Sequence, residues 1–118
     1  MDKNQITCIQ NVRFIFNFFE LSKGKSILKN IDDNTNMTAE SLRNLGHSLQ
    51  QRFSRIASMV EILQSSHDNW EIARKKDRII METESFDFND AIKILSAKGF
   101  KDDEYILKVE YERKWGML

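Results

Sequence analysis

Apolar residues recur at helical spacing in the middle of the chain, from Thr38 to about Gln64. At about 100° per residue they fall within an arc of roughly 120°, and polar residues occupy the rest of the circumference. Thr38 can cap the first free backbone amides of a helix. We therefore predict a long helix over about 38–64 with one face towards the core. The arc contains Leu42, Leu45, Gly46, Leu49, Phe53, Ile56, Ala57, Val60 and Leu63.

The first apolar segment, about 5–22, fits two structures. Its apolar residues form a helical stripe, and Gly24 follows where a helix can end in the left-handed conformation. A strand is the alternative, since every second residue from Val12 to Phe18 is apolar. The length and the stop signal favour the helix, so we predict that 5–22 is the first helix of the fold.

The second half of the chain combines strands with one helix. Apolar residues at helical spacing predict a helix over about 87–98, which Gly99 ends, with Phe100 placed to pack back on Leu95. Alternation predicts strands over about 70–74, 78–84 and 104–113, although 70–76 also fits a helix. A charged turn would join the first two of these strands.

This order of elements predicts an α+β fold in two layers. Helices over about 5–22, 38–64 and 87–98 would pack on one face of a small, mainly antiparallel sheet. The helix at 87–98 connects two strands that it can place in parallel. With 118 residues, the chain has the size of a single domain, 1–118.

Composition narrows the chemistry that we expect. Eighteen basic and eighteen acidic residues give a formal net charge of zero, which argues against a dedicated polyanion binder. A single cysteine, no membrane-length apolar run and no signal peptide favour a cytoplasmic protein. The two histidines lack partners at catalytic or metal-ligand spacing, and the four glycines form no phosphate-binding loop. We expect no enzyme activity, no metal and no cofactor.

Surplus apolar residues indicate a protein-interaction or regulatory module that associates with itself as a homodimer. Phe14 and Phe18 would give the first helix a second apolar side. Met59 and Ile62 lie beside the main stripe of the long helix, and Trp115 belongs to an apolar C-terminal segment. These five residues form the candidate interface.

Two other functions remain open. A basic cluster at the predicted turn is typical of a nucleic-acid-binding protein, because several cations close together can follow a phosphate backbone. The third hypothesis is a small-ligand sensor with a pocket between the helices and the sheet. The basic cluster consists of Arg74, Lys75, Lys76 and Arg78.

Overall fold

The computed structural model describes residues 6–27, 38–84 and 88–115. These residues form four strands and two helices in the order β-α-β-β-α-β, and the predicted α+β class is confirmed. The elements are β1 (Ile6–Asn17), α1 (Ala39–Ser66), β2 (Glu71–Lys75), β3 (Arg78–Glu84), α2 (Phe88–Ala97) and β4 (Ile106–Trp115).

The four strands form one sheet in the order β2-β3-β1-β4, with antiparallel pairing between all neighbours. This strand order and the β-α-β-β-α-β sequence together make the ferredoxin-like, or split β-α-β, arrangement. β3 and β4 run in the same direction, as the helical connection between them suggested. They are not neighbours, however, because β1 lies between them and pairs with both.

The predicted helix at 5–22 is wrong, and the strand alternative is correct. β1 pairs with β3 from Asn11 to Asn17 and with β4 from Ile6 to Ile15, so most of its backbone groups bond across the sheet. The prediction failed because apolar residues fill both the helical and the alternating positions of this segment. Gly24 is left-handed, with φ of 76°, but it belongs to a turn after the strand, where its amide donates to the carbonyl of Leu21 at 3.0 Å.

The hydrophobic core joins one face of the sheet to both helices. Alternation places Val12, Phe14 and Phe16 on the same face of β1, and each is fully buried. The centroid of the Phe14 ring lies 6.0 Å from that of Trp70, just before β2, and 5.5 Å from that of Tyr105, just before β4. These contacts link the two edge strands of the sheet through the central strand β1. The core cluster also contains Ile56, Met59, Leu63, Met81, Ala91, Leu95 and Phe100.

The ends of the helices follow the predicted local signals. Thr38 caps α1: its hydroxyl oxygen accepts from the Ser41 amide at 3.1 Å. α2 ends in a Schellman motif, in which the Phe100 amide donates to Leu95 at 2.9 Å and the Gly99 amide donates to Ser96 at 3.0 Å. Both endings rest on a few neighbouring residues, which explains why they can be predicted from the sequence.

The apolar arc of α1 is buried only in its C-terminal half. Here α1 buries Arg52, Ile56, Met59 and Leu63. Leu42 and Phe53 belong to the predicted arc but are 54% and 45% exposed. The prediction that the whole arc faces the core is therefore wrong for Leu42 in the N-terminal half and for Phe53 just past the middle of the helix. The buried face of α1 is also rotated to one side of the predicted arc. Arg52 and Met59 lie beside the arc in the helical projection, yet both are buried.

The predicted β2–β3 hairpin is confirmed, and the backbone of its turn is strained at one residue. Its two-residue turn places Lys76 at a φ of 54°, whereas Asp77 is not at positive φ. We expect Lys76→Gly to raise the free energy of unfolding by about 0.5–1 kcal/mol, since glycine adopts this conformation without the Cβ clash. The control Asp77→Gly should lower it. Urea denaturation measures both; equal effects of the two variants would contradict the assignment of strain to Lys76.

Candidate interaction surface on the long helix

The buried side chain of Arg52 ties α1 to the sheet, with only 5% of the residue exposed. Its Nε donates to the carbonyl oxygen of Asn17 at the end of β1, at 2.9 Å. Its Nη2 donates to the carbonyl oxygen of Glu104, just before β4, at 2.7 Å. Hydrogen bonds from a charged donor are stronger than neutral ones. One guanidinium thus joins α1 to the ends of two neighbouring strands.

Arg55, nearly one turn further along α1, binds the side chain of the same glutamate. Its Nε and Nη2 donate to the two carboxylate oxygens of Glu104, the second at 2.8 Å, in a bidentate pair. Nη2 also donates to the carbonyl oxygen of Gly99 at 3.1 Å. The guanidinium lies 4.6 Å from the ring centroid of Phe100, a cation–π contact. Arg55 therefore holds the turn between α2 and β4 against α1.

The Glu104 carboxylate is ionised because its partners outweigh the cost of burying it. Burial alone raises the pKa of Glu104, but hydrogen bonds from Arg55 and from the Lys101 amide, at 2.9 Å, hold the net pKa below its usual value. Burial lowers the pKa of Arg52, and attraction to Glu104 offsets only part of this effect. Glu104 is thus the acceptor around which both arginines are arranged.

Loss of this acceptor should destabilise the fold in a pH-dependent manner. A glutamate whose folded pKa is depressed stabilises above its unfolded pKa of about 4.3, and the contribution disappears as pH falls through the folded pKa. We expect Glu104→Gln to lower the free energy of unfolding by about 2 kcal/mol at pH 7. The difference from wild type should shrink below about pH 4. Denaturation at several pH values, with the exposed Glu110→Gln as control, tests this; a constant difference would contradict it.

A line of apolar residues, which we call the α1 stripe, runs along the N-terminal part of α1 and ends just past the middle of the helix. It consists of Leu42, Gly46, Leu49 and Phe53, which fall within about 60° of one another around the helix. Gly46 is exposed and Leu49 is half-buried. Large apolar side chains on a helix are expected to pack against another element, so this line is the candidate interaction surface.

Phe53 is held in place by a ring from the segment that follows β1. Phe18 meets it edge to face, with ring centroids 5.0 Å apart, and contacts Phe19 at 6.3 Å. The Phe18 amide donates to the carbonyl oxygen of Asp77 at 2.8 Å, which fixes this segment beside the β2–β3 turn. The Phe53 ring therefore has a supported inner side and an open outer side.

The structure separates the five residues that the sequence suggested as an interface. Phe14 and Met59 are fully buried in the core, so neither contributes to the surface. Ile62 is half-buried and lines a groove with Ile94. Phe18 is half-buried and supports the α1 stripe. Trp115 pairs with Ile6 at the end of β4.

Sequence reasoning did not identify Leu42 and Phe53 as surface residues. Their positions within the apolar arc pointed to the core. Leu42 lies on turns that precede the first buried residue of α1, and Phe53 lies on the side of the arc away from the buried Arg52 and Met59. A buried arginine has no apolar signal, so the sequence pattern could not reveal the rotation of the buried face.

The basic cluster is exposed and gains members from other strands. Lys75 and Arg78 are paired in register at the end of the β2–β3 hairpin. They line a hollow of about 480 Å³ together with Arg13 and Lys108, which sequence reasoning missed because these residues come from distant segments. Two glutamates share the hollow, and one of them, Glu82, accepts from Arg13 at 3.1 Å. Arg74 instead donates to the carbonyl oxygen of Lys76 at 3.1 Å.

Metal binding and membrane crossing were considered for the part of the chain that the structure describes. Across residues 6–27, 38–84 and 88–115, no group of three histidine, cysteine or acidic side chains is arranged to hold a metal ion. Neither helix in these ranges has the length and apolar content that a membrane crossing requires. Comparisons of the chain with protein-family models, with curated proteins and with solved structures found no match.

Proposed function

We propose that the protein is a non-enzymatic interaction module that associates with a second copy of itself through the α1 stripe. One observation carries the proposal: Leu42 and Phe53 are 54% and 45% exposed on one line of α1, whose buried residues, from Arg52 onwards, lie on another side of the helix. Contact with another molecule would remove this apolar surface from water, which is the main driving force for protein association.

The spacing of the stripe favours a second copy as the partner. The intervals from Leu42 to Gly46, Leu49 and Phe53 are four, three and four residues, which read the same in both directions. Two antiparallel helices related by a two-fold axis would therefore bring Leu42 of each copy against Phe53 of the other. An isologous contact of this kind is the commonest form of homodimer.

Gly46 supports a close approach of two helices. A glycine in the interior of a helix costs about 1 kcal/mol relative to alanine. A Cβ at Gly46 would meet nothing within 4 Å among the described residues, so packing against these residues does not explain the glycine. In the antiparallel dimer, Gly46 faces Leu49 of the second copy, and the missing side chain leaves room for the leucine.

A double substitution tests whether the stripe is the interface. The exposed area is small and association has its own entropic cost, so we expect a weak dimer with Kd on the order of 0.1 mM. Leu42→Asp with Phe53→Asp should give a folded monomer of 13.9 kDa at concentrations where the wild type dimerises. Sedimentation equilibrium up to about 1 mM measures the mass, and circular dichroism checks the fold.

The matched control is Ile72→Lys, which places a charge on another exposed apolar residue, 43% exposed, on the edge strand β2. It should leave the dimer intact. Dissociation by Ile72→Lys instead would place the interface on the sheet edge, and a wild type that remains monomeric throughout would exclude self-association.

Complementary charges test the antiparallel register separately. Leu42→Glu alone and Phe53→Lys alone should each be monomeric, and an equimolar mixture should recover a heterodimer, because the two new charges face each other across the contact. A parallel pair would instead be recovered by mixing Leu42→Glu with Leu42→Lys. Recovery of only this second mixture would contradict the antiparallel arrangement while leaving self-association intact.

The hollow on the sheet supports nucleic-acid binding as the second candidate function. Lys75, Arg78, Arg13 and Lys108 together bring four cations to one surface, although two glutamates reduce the net charge. Binding to single-stranded RNA or DNA at low salt, lost in Lys75→Glu with Arg78→Glu, would support this function. The absence of any mobility shift with either nucleic acid would exclude it.

A further inference from the structure

A groove of about 440 Å³ lies on the other side of α1 from the α1 stripe. Ser48, Gln51, Arg52 and Arg55 of α1 form one wall, and residues of the turn before β4, including Lys101, form another. Its lining holds three cations and two carboxylates, a surplus of one positive charge.

Arg52, which lines this groove, carries an unmet hydrogen-bond donor. Its Nε and Nη2 donate to backbone carbonyls, but its Nη1 is buried and has no partner among the described residues. Buried polar atoms in folded proteins are nearly always paired, and a charged donor left unpaired is especially costly. The exception at Nη1 therefore indicates a missing acceptor.

The charge of Arg52 also lacks a counterion in hydrogen-bond contact. Both carboxylate oxygens of Glu104 accept from Arg55, and one of them also accepts from the Lys101 amide. Within the described residues, Arg52 donates only to carbonyl oxygens. A water molecule could accept from Nη1, but it would leave the buried charge compensated only in part, by the nearby acidic residues Glu104 and Asp103, whereas an anion would supply both the acceptor and the charge.

We propose that this groove binds an oxyanion, a phosphate or a carboxylate group, whose oxygen accepts from Arg52 Nη1. The exposed ammonium group of Lys101 attracts the anion at the mouth of the groove. Because Nη1 is closed to solvent, entry requires a small displacement of a lining side chain such as the exposed Gln51. Rotamer changes of exposed side chains are fast and inexpensive.

Titration by NMR with inorganic phosphate, and separately with acetate, tests the site in the full chain. Sodium chloride keeps the ionic strength constant, so unspecific screening is the same at every point. We expect saturable shifts confined to the amides of residues 48–55 and 101–104. The anion that saturates at the lower concentration identifies the ligand group as phosphate or carboxylate.

Variants of surface lysines then locate the binding. Lys101→Glu should raise the Kd by about fivefold or more, because it places a like charge at the mouth of the groove. Lys98→Glu makes the same charge change beside a different groove and should have no effect. Neither residue belongs to the core, so both variants should fold. Shifts that do not saturate with either anion, or equal effects of the two variants, would overturn the proposal.

Discussion

The guanidinium of Arg52 donates to the ends of two strands from the middle of a helix, and the position of α1 depends on it. The acceptors are the carbonyl oxygens of Asn17 and Glu104, at 2.9 and 2.7 Å. Because the charge is desolvated, rotating α1 away from these carbonyls would leave it buried without acceptors, at a cost of several kcal/mol. The core-facing side of α1 is therefore set by an arginine together with its apolar neighbours. The apolar arc turns partly to solvent as a result, and the α1 stripe is left uncovered.

The length of α1 adds to this effect. Its 28 residues extend about 42 Å, and every buried residue lies at Arg52 or beyond. The preceding turns project past the core, where packing contributes little to helix stability. Their stability must come from the Thr38 cap and from local propensity, against the cost of Gly46. A contact along the stripe would restore the packing that an amphipathic helix normally obtains within its own domain.

Features encoded by neighbouring residues could be predicted, whereas those that depend on distant pairing could not. The Thr38 cap, the Schellman ending at Gly99 and the β2–β3 hairpin each rest on a few consecutive residues. β1 satisfied two periodicities at once, and only its two partner strands decide between them. The sequence indicated that apolar surface was in surplus but placed it at Phe14 and Met59, because burial depends on which way α1 is turned. Arg52 and Glu104 are 52 residues apart in the chain, and no local pattern relates them.

The α1 stripe and the oxyanion groove lie about 140° apart around the same helix, since Ser48 projects that far from Phe53. An anion in the groove would compensate the charge of Arg52 and stabilise the fold by mass action. It would touch neither Leu42 nor Phe53, and a ligand shifts an equilibrium only by its differential affinity for the two states. Coupling between the anion and self-association therefore requires α1 to shift relative to the sheet. The carbonyls that hold Arg52 oppose such a shift, so the fold favours two sites that act independently.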